Sequence, residues 1–188
     1  MPWQLTGAGG GVVTQTVGGA FPGMLSAQQS TVDNITDDAA GGVETAFATV
    51  YSVPANFFVA NKFLIVFAGF EYIATGTPPT LQLALRLGTT KMYQSDLTQP
   101  DGNKTRGFGS VFVLGGTAAA GASVAVLCSP LVNELKSSLP LPGPSIITYT
   151  HNVATNGVLS LNLTAKWASN PAGTNTVGLR QLLVFQAG

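Results

Sequence analysis

His151 is the only histidine and Cys128 the only cysteine of the 188 residues. With one of each, no common zinc ligand set can be assembled. A Ser-His-Asp triad would have to use His151, yet the Gly-x-Ser-x-Gly elbow of that chemistry is missing. His151 therefore reads as a surface residue at a strand end. Cys128 closes the apolar run Ser123-Val124-Ala125-Val126-Leu127-Cys128, where neither a base nor a helix N-terminus would activate a thiol. It reads as a small buried hydrophobe. Paired carboxylates could hydrolyse a glycan. The acids available are Asp33, Asp37, Asp38, Glu44, Glu71, Asp96, Asp101 and Glu134. Most of them fall in expected loops or in the N-terminal segment, and only Glu71 ends an apolar strand. The Asp33-Asn34-Ile35-Thr36-Asp37-Asp38 cluster offers oxygen ligands but lacks the spacing and closing Glu of an EF-hand. It reads as a turn or helix-cap cluster. Gly7-Ala8-Gly9-Gly10-Gly11 is not followed by the Lys-Ser/Thr of a phosphate loop. The expectation is a protein that is not an enzyme, with no catalytic, metal or cofactor residues.

The elements that would carry these residues are strands. Residues 1–42 form a glycine-rich N-terminal arm, with breaks at Gly18-Gly19 and Phe21-Pro22-Gly23. Its isolated apolar residues, Trp3, Leu5, Phe21, Met24, Leu25 and Ile35, have little to pack against within the arm. They are expected to dock on their own domain, on a neighbouring subunit or on a larger shell. Residues 43–188 are punctuated by turns at short intervals. Thr45 to Val53 reads as a strand ending at Pro54. Phe63 to Tyr72 is an apolar run that implies a central strand buried on both faces, with Gly69 at a bulge or close approach. Leu81, Leu83, Leu85 and Leu87 alternate with Gln82, Ala84 and Arg86, the pattern of a half-buried strand. Thr89 to Tyr93, Phe108 to Leu114, Ala122 to Cys128, Ile146 to Val153, Leu159 to Thr164 and Val177 to Phe185 complete the set. Asp96 to Gly107, Gly115-Gly116 and the proline-rich 129–144 read as turns and loops, and Asn156-Gly157 as a hairpin turn. Eight or nine short strands without a helix predict an all-β, jelly-roll-like antiparallel β-sandwich behind an extended arm.

Composition narrows the partners. Charged residues make up 9% of the chain, against roughly 25% in an average soluble protein. A surface so poor in charge fits one covered by other subunits, since interface cores are depleted in charge. Eight basic and eight acidic residues give zero net charge, and no basic stripe is present to neutralise phosphates, so nucleic acid is not an expected partner. The longest apolar stretch, Phe57 to Phe70, is interrupted by Asn61 and Lys62 and is too short for a spanning helix, so no membrane is expected. The first residues do not have the form of a secretory signal.

From Tyr51 to Val184 the chain resembles a domain recurrent at the C-termini of phage tail-fibre, head-fibre and minor virion proteins. Val53-Pro54-Ala55-Asn56, Ala68-Gly69 in a long apolar strand, Leu85-Arg86-Leu87-Gly88-Thr89-Thr90, Thr176-Val177 and Leu182-Leu183-Val184 carry the resemblance. The family pattern has Leu where Val53 stands and commonly two glycines where Gly88 stands alone. The resemblance implies a bacteriophage virion structural protein on the capsid surface or a tail appendage. A capsid decoration or head-fibre protein is the first expectation. It would be a homo-oligomer, expected as a trimer, anchored by its arm to virion proteins such as the major capsid protein. A tail-fibre module recognising a host surface glycan through Tyr93, Phe108, Tyr149 or Trp167 is the alternative, and a single jelly-roll major capsid protein the second. Arg86 is expected either solvated or in an ion pair between subunits with an acid such as Glu71. The resemblance supplies no catalytic residue.

Overall fold

The structure is a computed structural model, and it describes residues 13–15, 24–29, 33–36, 42–74, 79–95, 104–117, 124–133, 149–168 and 175–187. Its strands are β1 (Val13–Gln15), β2 (Met24–Gln29), β3 (Asn34–Thr36), β4 (Glu44–Val53), β5 (Phe63–Ala74), β6 (Leu81–Leu87), β7 (Thr90–Gln94), β8 (Lys104–Gly116), β9 (Val124–Asn133), β10 (Tyr149–Val153), β11 (Leu159–Trp167) and β12 (Thr176–Ala187). The described residues contain no helix. They form a jelly-roll-like β-sandwich of two antiparallel sheets. The larger, eight-stranded sheet runs β1-β2-β12-β5-β8-β9-β10 with β3 also on β12, and the smaller runs β4-β11-β6-β7.

Period-two alternation decides which side chains enter the core. Leu64, Val66, Ala68, Phe70 and Tyr72 of β5 meet Phe47 and Val53 of β4, the leucines of β6, and Leu161 and Leu163 of β11. Phe47 packs on Phe70 with ring centroids 5.8 Å apart, and Tyr93 of β7 on Phe112 of β8 at 5.4 Å, so aromatic pairs join the two sheets. Each buried aromatic of this kind contributes about 3–5 kcal/mol, the usual cost of its truncation to alanine.

Several turns behave as their residues require. Gly88 adopts a φ of 59° in the β6–β7 turn, a region open to glycine without strain. Asn56 takes a φ of 58° after Pro54, and Phe57 N–H closes that turn on the Pro54 carbonyl at 3.2 Å. Gly69 faces a bulge in β12, where Arg180 is the extra residue between Leu179 and Gln181.

Other expectations are corrected. Asn156-Gly157 is not a hairpin turn, because β10 belongs to the larger sheet and β11 to the smaller, and the chain crosses the sandwich there. Gly115-Gly116 ends β8 inside the ladder. β8 also starts earlier than expected, at Lys104, since its first residues pair with the end of β5. β9 continues through Pro130, which pairs with Phe112 beside a register shift at Leu131. β5 is central, but only one of its faces is buried. Its other face carries Phe63, Phe67 and Ile73, each about 40% exposed.

The arm is partly built into the sandwich. β2 pairs with β12, β1 with β2, and β3 with the start of β12. Asp33, just before β3, has a buried carboxylate that accepts from Ala48 N–H at 2.9 Å and Thr49 N–H at 2.8 Å. Those donors lie where the β4–β11 register shifts, so the carboxylate takes up N–H groups left out of the ladder. One residue thus ties the edge of the larger sheet to the smaller.

Candidate functional site

Two outer faces and one edge of the sandwich carry the side chains that could meet a partner. On the smaller sheet, Glu44 opens β4 and faces outward beside β11 and β6. Arg86 donates to it through Nε at 2.8 Å and Nη2 at 2.9 Å, Lys91 Nζ lies 2.9 Å from Oε2, and Thr164 Oγ1 donates at 2.6 Å. The Arg86 hydrogen bond is the largest influence on the carboxyl, and it lowers the pKa from 4.5 to about 2 against the opposing effect of burial. The same pairing raises Arg86 above its ordinary value. With both oxygens occupied and the charge fixed, Glu44 is held as a carboxylate across the neutral range and has no proton to donate there.

Within the chain Arg86 and Glu71 stand in different sheets, and each has another partner, so a pair between them could form only between subunits. Glu71, on the outer face of β5, instead takes Arg180 of β12 at 2.9 Å. Arg180 Nη1 also donates to Asn34 Oδ1 at 2.8 Å. Gly178 makes room for this cluster: a Cβ there would lie 2.4 Å from Asn34 Oδ1 and 2.5 Å from the Arg180 guanidinium carbon. Sequence reading listed Glu44 only as an available acid and missed its pairing with Arg86 and that of Glu71 with Arg180, because the partners are 42 and 109 residues apart.

The outer face of the larger sheet is apolar over half its length. Phe63, Ile65 and Phe67 of β5 lie beside Val111 and Val113 of β8, and Leu183 and Phe185 of β12 continue the patch. Phe67 and Phe185 meet edge-on, with centroids 5.6 Å apart at 79°. The other half is Gly69, Gly107 and Gly109, followed by the Glu71–Arg180 pair.

The edge is formed by β7 and β10. Tyr149 is 38% exposed and packs edge-on against Tyr93, with centroids 6.0 Å apart. His151 Nε2 donates to the Met92 carbonyl at 3.1 Å and bridges the sheets. A backbone carbonyl can only accept, so this nitrogen carries the hydrogen. Of the aromatics considered for glycan contact, Trp167 and Phe108 are core residues, the latter stacked on Phe70 at 5.1 Å. Trp167 Nε1 donates to the Ile35 carbonyl at 3.4 Å.

Of the arm residues expected to dock, Trp3, Leu5 and Phe21 lie outside the described residues. Met24 and Leu25 open β2, which pairs with β12 of the same chain. Ile35 packs in the chain's own core, the first of the docking places expected for it. Of the carboxylates considered for chemistry, Glu44 and Glu71 are in separate sheets, Asp33 binds backbone, and Asp37, Asp38, Asp96, Asp101 and Glu134 lie outside the described residues. Among the described residues no cluster of three or more His, Cys, Asp or Glu could hold a metal.

No family model matches the chain, and no curated protein matches it. Solved structures of partial likeness include the lectin UEA-II complexed with galactose. It is 11% identical, with a TM-score of 0.32 over 95% of this chain and 88% of that one. The winged bean acidic lectin complexed with methyl-alpha-D-galactose is 9% identical, with a TM-score of 0.31 over 94% and 86%. An alginate lyase from Alteromonas sp. 272 is 10% identical, with a TM-score of 0.20 over 73% and 58%. Likeness at these scores carries no argument about function.

Proposed function

We propose that this chain is a non-enzymatic structural protein of a bacteriophage virion, a capsid decoration or head-fibre component that acts by associating with copies of itself and with other virion proteins. The observation that carries the assembly part of this reading is the apolar outer face of the larger sheet, on a chain with 9% charged residues. Contiguous apolar surface of this kind marks interaction sites on soluble proteins. The virion setting rests on the resemblance from Tyr51 to Val184. The test is cryo-electron microscopy of the source particle with the chain placed in the map. Many copies on the capsid lattice support the reading. Absence from purified particles overturns it.

A second reading, a module recognising a host surface glycan, is favoured by the β7–β10 edge. There the exposed Tyr149 ring stands beside His151 and the polar end of β7. Glycan-array binding that is lost in Tyr149→Ala would support it. A blank array for the assembled protein would remove it.

A further inference from the structure

Two glycines of β8, Gly107 and Gly109, have no explanation inside the chain, unlike Gly115 and Gly116, where a Cβ would strike Phe63 or the Phe58–Val59 backbone. Gly107 and Gly109 do not take positive φ. A Cβ would meet only the Phe70 carbonyl at 3.7 Å from Gly107, and only the Ala68 carbonyl at 3.7 Å from Gly109, which is ordinary contact. Glycine in a strand costs roughly 0.5–1 kcal/mol relative to alanine, and it commonly marks a place where another chain approaches closely. Together with Gly69, which pairs with Gly109, these residues make a smooth trough on the outer face of the larger sheet. The ridge of Phe67, Ile65, Val111 and Val113 lies directly along the same two strands.

We infer that this face is buried against the same face of a second copy, with the ridge of each copy seated in the trough of the other. The inference rests on the assembly reading above and names its surface. A two-fold axis lying in the contact plane, across the strands between Phe67 and Gly69, reverses the order of residues along β5 and β8. It sets Phe67 of one copy over Gly69 of the other, Val111 over Gly109, and Val113 over Gly107, while Ile65 at the end of the ridge meets the Glu71–Arg180 pair beyond the trough. Each contact then occurs twice, as a two-fold interface requires.

Charge selects the occupant. The described charged residues at this face, Glu71 and Arg180, are paired with each other, so the patch offers no net charge to an acidic or basic partner. A sugar is a poor fit, because Phe67 and Phe185 meet at 79° and form no flat platform, and polar groups are lacking between them. The area is sufficient. Strands β2, β12, β5, β8 and β9, from six residues in β2 to 13 in β8, at ~4.8 Å spacing and ~3.3 Å per residue cover roughly 800 Å², against about 800 Å² per partner in a standard stable interface. A face-to-face pair of this kind replaces the trimer expected from the sequence.

The test is the mass in solution of the full chain, measured by light scattering coupled to size exclusion, with no virus particle present. The wild type is expected at twice the chain mass. Phe67→Lys places a charge on the ridge, and Gly109→Leu fills the trough. Each is expected to raise the dissociation constant at least ~100-fold and run at the single-chain mass. Gly109→Leu should leave far-UV circular dichroism unchanged, since its Cβ makes only an ordinary 3.7 Å contact with the Ala68 carbonyl, so loss of pairing cannot be laid to misfolding. Ser160→Leu, on the exposed outer face of the smaller sheet, should stay paired. A single-chain or three-chain mass for the wild type overturns the inference, as does a pair that survives both face variants. A solution pair in a protein absent from particles would leave the inference standing and remove the virion reading.

Discussion

Replacing Glu44 with Gln tests whether the charged hub on the smaller sheet stabilises the fold. The carboxyl is bound by Arg86, Lys91 and Thr164, and its pKa is lowered from 4.5 to about 2. At ~1.4 kcal/mol per pH unit, that depression corresponds to about 3 kcal/mol of preference for the ionised form in the folded state. With side-chain exposures of 22% for Glu44 and 28% for Arg86, solvent screening reduces the usable part to about 1–2 kcal/mol. The direction follows from the depressed value. The contribution is complete above the unfolded pKa near 4.5 and is lost as pH falls through the folded value near 2. Urea unfolding of the wild type and Glu44→Gln at neutral pH should therefore differ by about 1–2 kcal/mol, and the difference should close progressively between pH 4.5 and pH 2. Because the variant still has Arg86 and Lys91, comparing the two proteins isolates the carboxylate from other acid-labile groups. An equal gap at neutral and acidic pH would mean that Glu44 acts by packing and that the charge is not what matters. No gap at neutral pH would mean that desolvation cancels the pairing.

The remaining expectations concern how the sheets are joined. Asp33→Ala strips the acceptor from Ala48 and Thr49 N–H, so it should lower unfolding free energy by about 2–4 kcal/mol in urea titration, with Asp33→Asn intermediate. Gly116→Ala should cost more than ~2 kcal/mol in the same measurement. Its Cβ would lie 2.7 Å from the Phe58 carbonyl carbon and the Val59 nitrogen, backbone that cannot rotate away. Gly157→Ala, with nothing within 4 Å, should change the melting temperature little.

How much of this was legible depended on the range of the interaction. The leucines of β6 showed their strand because alternation is local, and the Gly88 turn was visible because one residue type satisfies it. Asn156-Gly157 misled for the complementary reason. The dipeptide favours a tight reversal, but pairing of β10 with β9 and of β11 with β4 and β6 settles the path, and those contacts span long stretches of chain. The role of Asp33 could not be read from its neighbours, since the N–H groups it serves are on β4, 15 and 16 residues away. Arg86 was recognised as the one charge on a leucine-rich strand, but its partner is 42 residues distant. Ile35 looked like a free anchor because the arm around it is glycine-rich, and only the closing strand β12 reveals that it belongs to the core.

The apolar run of β5 is the most instructive mismatch. Phe63 to Tyr72 has the composition of a strand covered on both faces, which local pattern associates with a fully buried central strand. Within one chain only the Leu64, Val66, Ala68, Phe70 and Tyr72 side is covered. Selection for a soluble single chain would place polar or charged residues at the positions of Ile65 and Phe67, as it does at Ser160, Asn162 and Lys166 on the outer face of the smaller sheet. The two sheets therefore have outer faces of different character: one polar and organised around Glu44, the other apolar and smoothed by glycine. A second copy laid on the larger sheet would supply the missing cover for β5, and the sequence pattern would then describe the assembled protein rather than the isolated chain.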